Sequence, residues 1–226
     1  MANENQEIAS YDFLKEERVE KHFADINILL LSGKHIDQKM YTIFSLSEEF
    51  ESHWRNFYKN LYNLNFESAN FDGKKYFYLD FFDTAKGRFS DNSRHRELTE
   101  IQILIGLTLL DIYYKRFFDE KKVLKWSDIT NLIIEGEQQQ AYKRIFFNSV
   151  RQSNTYDEKD WKMVERKITS VIDAFDKLGW VEKLSSQNEE LVFEIRPAIN
   201  RLAKLYEEEL TQFEDFVANL KKDDEI

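Results

Sequence analysis

No cysteine occurs in the chain, and its 226 residues hold one proline and six glycines. The first absence excludes disulfides, thiol nucleophiles and thiolate-bound zinc. The scarcity of proline and glycine disfavours long structureless loops and favours helices. No apolar run approaches bilayer length: Ile103 to Leu110 is much too short to cross a membrane. The opening residues, MANENQEIASYDF, show no basic stretch followed by an apolar one, so they do not read as a secretory signal. A soluble protein of the cytoplasm is expected. A basic surplus is also missing. The formal net charge is −10, with eight acidic residues and two lysines between Leu205 and Ile226. A protein that coats nucleic acid alone usually carries a cationic excess, because phosphate neutralisation dominates such binding. The balance points to a protein partner first.

Catalytic signatures are missing as well. His22, His35, His53 and His95 fall on separate segments without metal-ligand spacing, and read as surface or capping residues. No GxxxxGK[ST], GxGxxG or GxSxG run occurs, and Glu48-Glu49 and Glu207 to Glu209 read as solvated helix faces. No enzyme activity, cofactor or metal is expected.

What is present is hydrophobic content of 42%, with 15% aromatic residues, enough to build a core despite 33% charged residues. Val19, Phe23, Ile26 and Leu30 recur at helical spacing before Gly33, predicting a helix over 17–32. Leu46, Phe50, Trp54, Phe57 and Leu61 predict a second helix over 46–62, with a turn and a short helix between the two. The period then changes. Leu64 to Phe66 and Tyr76 to Phe81 read as strands, joined through Asp72-Gly73 by a connection longer than two residues. The polar stretch over 84–96, with net charge +3, reads as a linker.

A second unit follows. Ile103, Leu107, Leu110, Tyr114 and Phe117 predict a helix buried on nearly all sides, and Ser127 is placed to cap a short helix containing Ile129, Leu132 and Ile133. A further helix is expected within 137–150. Trp161, Val164, Ile168, Val171, Phe175 and Leu178 step by three and four to Gly179. Trp180 to Leu184 and Leu191 to Ile195 form a second strand pair, and Pro197 opens a last helix striped by Ile199, Leu202, Tyr206, Leu210, Phe213 and Leu220. Helix, strand and strand thus recur in one order, which implies a tandem repeat. The fold expected is mainly α with small β wings (α+β): two tandem winged-helix domains plus a C-terminal helix. The boundaries are a flexible N-terminus over 1–16, a first winged helix over 17–83, a linker over 84–96, a second winged helix over 97–196, and a C-terminal helix with acidic tail over 197–226.

The tryptophans Trp54, Trp126, Trp161 and Trp180 suit interface anchoring, although core packing is the better reading for Trp54, Trp161 and Trp180. In a winged helix the helix before the wing enters the DNA groove. In the first unit Glu48, Glu49 and Glu51 stand there against Arg55 and Lys59, which argues against groove reading. Lys74 and Lys75 of the first wing, Arg94 and Arg96 of the linker, and Lys162, Arg166 and Lys167 beside Lys159 are the candidate contacts to a DNA backbone, without sequence readout.

Five segments carry a resemblance: HFADINILLLSGKHI from His22, YKNLYNLNF with KKYFYLDFF, LTEIQILIGLTLLDIYY, DAFDKLGWVEKL, and LVFEIRPAINRLAKLYEEEL. In this order and at these separations the chain resembles the MksE family of kleisin-interacting tandem winged-helix subunits. The resemblance implies a non-catalytic, dimeric subunit of a bacterial SMC complex. It would hold an MksF-like kleisin and, through it, meet an MksB-like SMC ATPase on the nucleoid during chromosome condensation and segregation. Non-specific double-stranded DNA is then an auxiliary ligand. Related subunits serve plasmid-restricting systems, so housekeeping and defence roles both stay open. The alternative is a winged-helix transcription regulator acting alone.

Overall fold

The computed structural model describes residues 11–81, 98–136, 139–147, 155–186 and 190–206. The chain divides into two compact units, Met1–Arg96 and Glu97–Ile226. Both are mixed, mainly helical, and each contains a three-stranded antiparallel sheet. The expected linker over 84–96 and the tail residues Leu210, Phe213 and Leu220 lie outside the described residues.

The first unit runs from a 3-10 turn, Asp12–Lys15, through α1 (Glu17–Leu31), β1 (Ile36–Asp37), α2 (Tyr41–Glu49), α3 (Glu51–Tyr62), β2 (Leu64–Phe71) and β3 (Lys74–Phe81). α1 ends as expected at Gly33, whose φ of 84° lets its N–H reach Leu30 O while Lys34 N–H reaches Leu29 O. The single helix expected over 46–62 is instead two, α2 and α3, broken at Phe50. Packing explains the break. The Phe50 ring lies 6.0 Å from Phe13, and the Trp54 indole donates across the break to Leu46 O at 3.2 Å. Trp54 is fully buried, with Phe13, Phe23, Phe57 and Tyr58 around it at 5.0–6.1 Å. One bend lets both helices put their apolar stripes on that cluster.

Pairing in the first sheet runs β1-β3-β2, with Ile36 opposite Phe77. The hairpin is longer and its turn tighter than expected: pairing runs unbroken from Leu64↔Phe81 to Phe71↔Lys74. Only Asp72 and Gly73 join the strands, with φ of 55° and 68°. Two consecutive left-handed residues match the twist of a hairpin, and an Asp-Gly pair adopts them at little cost.

The second unit contains α4 (Glu100–Lys115), β4 (Val123–Lys125), α5 (Trp126–Glu135), α6 (Gln139–Phe146), α7 (Glu158–Leu178), β5 (Val181–Lys183) and β6 (Val192–Ile195). A 3-10 turn, Pro197–Asn200, and α8 (Arg201–Leu205) follow. The sheet order, β4-β6-β5, repeats the first: the first strand pairs with the last, and the last with the middle one. Here the core is largely aliphatic. α4 buries Leu104, Leu107, Leu109 and Leu110, and α7 buries Val164, Ile168, Val171, Ile172 and Phe175. Gly106 permits close approach within it, because a Cβ there would sit 2.6 Å from Leu202 Cδ1 and 3.3 Å from Phe175 Cζ.

Two expectations about α4 and α5 fail. Tyr114 and Phe117, read as part of a buried stripe, are 50% and 60% exposed: Tyr114 lies in the last turn of α4, and Phe117 falls beyond the helix end at Lys115. Ser127 is not the cap of α5; the helix starts at Trp126, and Asp128 Oδ2 accepts the Lys125 N–H at 2.9 Å. α4 and α7 begin with reciprocal capping boxes, Thr99 with Gln102 and Asp157 with Asp160. In the first unit no N-cap side chain closes the start of α1, α2 or α3. Trp54 and Trp180 are buried, but Trp126 and Trp161 are half-buried and meet edge-to-face at 6.2 Å.

Candidate nucleic-acid interface

The candidates among the described residues fall on two faces, one in each unit, and the two are electrostatically unlike. In the first unit Lys75 opens β3 beside α3, and its ammonium lies 2.9 Å from Glu51 and 3.4 Å from Glu48. Arg55 meets the same Glu51 at 3.1 Å and donates to Phe66 O, while Ser68 Oγ donates to Glu51 at 3.0 Å. Burial by itself would raise the Glu51 carboxyl, but the bonds from Lys75 and Ser68 and the nearby Arg55 charge outweigh it and hold it below the usual carboxylate range. Burial would lower Lys75, and the bonds to Glu51 and Glu48 reverse that and raise it. Lys75 is thus committed to Glu51 and Glu48 in a five-residue knot rather than offered to a phosphate. Lys74 stands half-buried next to the turn, paired across the hairpin with Phe71.

The acidic reading of the helix before the first hairpin also needs correction. Glu48 and Glu49 belong to α2, and Glu49 is held by Arg18 at 2.8 Å. The exposed residues of α3 are Ser52, His53, Arg55, Asn56, Lys59 and Asn60, with Leu61 and Tyr62 exposed at its end; before those two, the surface carries no carboxylate. It is polar and weakly cationic.

The second face is α7. Its core-facing residues leave the opposite side to Lys159, Lys162, Arg166, Ser170 and Lys177, all exposed, with exposed Lys167 on the flank. At 1.5 Å per residue the stripe from Lys159 to Lys177 spans roughly 27 Å. Two acidic residues of the helix are drawn away from the stripe: Asp173 meets Lys183 of β5 at 2.6 Å, and Asp176 accepts the Lys183 N–H at 3.0 Å. Glu158 pairs with Lys162 at 2.6 Å. Among the described residues, no carboxylate pairs with Lys159, Arg166, Lys167 or Lys177. Three of the seven candidates, Lys162, Arg166 and Lys167, therefore share one helix with Lys159. Arg94 and Arg96 lie outside the described residues. Lys177 escaped the sequence reading, although it stands eleven residues, three helical turns, beyond Arg166.

For other chemistry, no group of three or more His, Asp or Glu among the described residues is placed to hold a metal ion. His35, expected at the surface, is buried and stacks on Tyr78 at 5.2 Å, while His95 lies outside the described residues. A cavity of about 20 Å³ lies among α4, α5, α6 and α7, lined by Ile105, Leu109, Ile133 and Ile172 among others. That holds at most a water-sized guest, and its lining is apolar. Above it Thr108 Oγ1 and the Tyr142 hydroxyl bond at 2.6 Å, and burial pushes that phenol up. No helix of the described residues is long and apolar enough to cross a membrane.

No curated protein matches the chain. A family model described as condensin complex protein MksE matches residues 21–207, well over half of the chain and including parts of both units. The chain belongs to the MksE family of condensin complex proteins.

Proposed function

We propose that this condensin complex protein is a non-catalytic subunit that binds the kleisin of a bacterial SMC complex and, through it, meets the SMC ATPase. In this reading it acts as a homodimer at the nucleoid and supports chromosome condensation and segregation. The observation that carries the reading is the family match across 21–207. Each unit is a winged helix in this reading, over 17–83 and 97–196, joined by the linker over 84–96. Support comes from the shared order of helix, strand, helices and hairpin, and from the shared sheet order, β1-β3-β2 and β4-β6-β5. DNA is an auxiliary ligand. Lys162, Arg166 and Lys167 with Lys159 steady its backbone without reading bases, and Lys74, Arg94 and Arg96 are subsidiary contacts; Lys75, held by Glu51 and Glu48, drops out of the set.

Co-expression with the kleisin and SMC ATPase of the same cell tests the reading. The three proteins are expected to co-purify, with the chain alone showing weak, salt-sensitive DNA binding. Failure to retain the kleisin, or tight binding of one operator sequence by the chain alone, would overturn it in favour of a separate transcription regulator. Reversing Arg166 and Lys167 to glutamate is expected to lower the salt slope of DNA binding by about 2, with no change of sequence preference.

A further inference from the structure

The second unit pairs many of its cations, and α7 is where it does not. Lys115, Lys183 and Arg196 each have a carboxylate within 3.0 Å, from Asp111, Asp173 and Glu194. On the α7 stripe Lys162 is so held by Glu158, while Lys159, Arg166, Lys167 and Lys177 have no acidic partner among the described residues. Two further carboxylates of the helix stand apart from the stripe. Asp160 accepts the Asp157 N–H at the helix start, and half-buried Glu165 lies about 100° round from Arg166. Lys159, Lys162 and Arg166 follow one another at three and four residues, and like charges at that spacing disfavour a helix. A counter-charge from beyond the described residues would relieve that repulsion.

The same chain carries one close by. Glu207, Glu208, Glu209, Glu214 and Asp215 follow α8, and no cation stands among residues 206–216. α8 and α7 meet at one point of α4, because Leu202 Cδ1 and Phe175 Cζ both crowd the place of a Cβ on Gly106, at 2.6 Å and 3.3 Å. Glu207 is five residues beyond Leu202, and Lys177 is two beyond Phe175. Five residues can cover roughly 17 Å, more than the width of a helix. The nine from 207 to 215 can cover about 30 Å, against roughly 27 Å for the stripe. Tethering gives such a run an effective concentration on the order of millimolar. Exposed ion pairs are singly weak and screened by salt, so the contact stands on their number and yields to a denser polyanion.

We propose that the acidic run over 207–215 occupies the α7 stripe of its own chain, and that a DNA backbone reaches Lys159, Arg166, Lys167 and Lys177 only by displacing it. The displacement rests on the DNA reading above; the occupancy does not.

Zero-length carbodiimide cross-linking of the full chain, without DNA, tests the occupancy on a mixture of ordinary and heavy-nitrogen-labelled protein. Amide bonds from carboxylates of 207–215 to Lys167 or Lys177 are expected, within one isotope, and they should vanish at about 0.5 M salt. Bonds to lysines outside α7 alone overturn the occupancy. Bonds only between the two isotopes give the stripe to a second copy, and also overturn it. Fluorescence anisotropy with a random-sequence DNA duplex at low salt tests the displacement. The variant Glu207→Gln/Glu208→Gln/Glu209→Gln is expected to bind about fivefold more tightly than wild type. A matched control on exposed residues of the first unit, Glu16→Gln/Glu17→Gln/Glu20→Gln, should gain less than about twofold. Equal gains would mean that net charge alone governs binding, and would overturn the displacement. If no form of the chain binds DNA, the DNA reading falls and the displacement with it, while the cross-links still decide the occupancy.

Discussion

The two units reach one order of strands with different cores. In the first, aromatic rings form an unbroken chain from Tyr11 and Phe13 through Trp54, Tyr58 and Phe66 to Phe77. In the second, leucine, isoleucine and valine from α4 and α7 fill that place, and the aromatic residues form separate islands such as Phe175 with Trp180. The difference shows that strand order is fixed by which faces are apolar and by the turns, while the chemistry of the filling is free to vary. It also separates the charges. The first unit uses its cations to tie α3 to the hairpin, and the second leaves several on α7 without an acidic partner among the described residues.

The largest expected effect tests whether the aromatic chain is the core of one unit only. Trp54→Ala removes the indole at its centre and should cost about 3–5 kcal/mol. Amide exchange should show lost protection over α1 to β3 with α4 to β6 little changed. Equal loss in both would mean that the two cores fold as one. The next effect belongs to the aliphatic core. Gly106→Val must displace Leu202 and Phe175 and should cost about 2 kcal/mol, measured by urea unfolding. Unchanged stability would show that α8 is loosely seated there.

The smallest effect concerns the ionic knot. Glu51 has a folded pKa below its usual 4.5, so the stability it adds is present above 4.5 and is lost as pH falls through the folded value. For Lys75 the folded pKa is raised above 10.5, so its contribution is full below 10.5 and is lost as pH rises through the raised value. Glu51→Gln should therefore cost under about 1 kcal/mol at pH 7 and nothing well below pH 4. A difference that persists in acid would assign the effect to packing.

Much of this was legible in the sequence. The α1 stripe ending at Gly33, the α7 stripe ending at Gly179 and the paired strands follow from periodicity and punctuation. What escaped depends on distant partners. β1 has two residues and β4 three, and each is a strand only because β3 or β6 lies beside it. The break at Phe50 has no proline or glycine to announce it and arises from Phe13 and Trp54. Which of the candidate cations are held by carboxylates escaped in the same manner. Nothing local distinguishes Lys75 from Arg166, yet Lys75 is held by Glu51, 24 residues away, while Asp173 and Asp176 of α7 are drawn towards Lys183 and no carboxylate among the described residues pairs with Arg166.

The capping boxes carry a kinetic consequence. A side chain that satisfies the first N–H groups of a helix is worth about 1 kcal/mol, roughly a fivefold change in the opening equilibrium of that turn. α4 and α7 have such closures and α1, α2 and α3 do not. The first turns in the amino-terminal half should therefore fray on their own, well before the hairpin pinned by Asp72 and Gly73 lets go. Deuterium should enter there before it enters the first turns of α4 and α7, marking the helix starts of that half as softer backbone than those two.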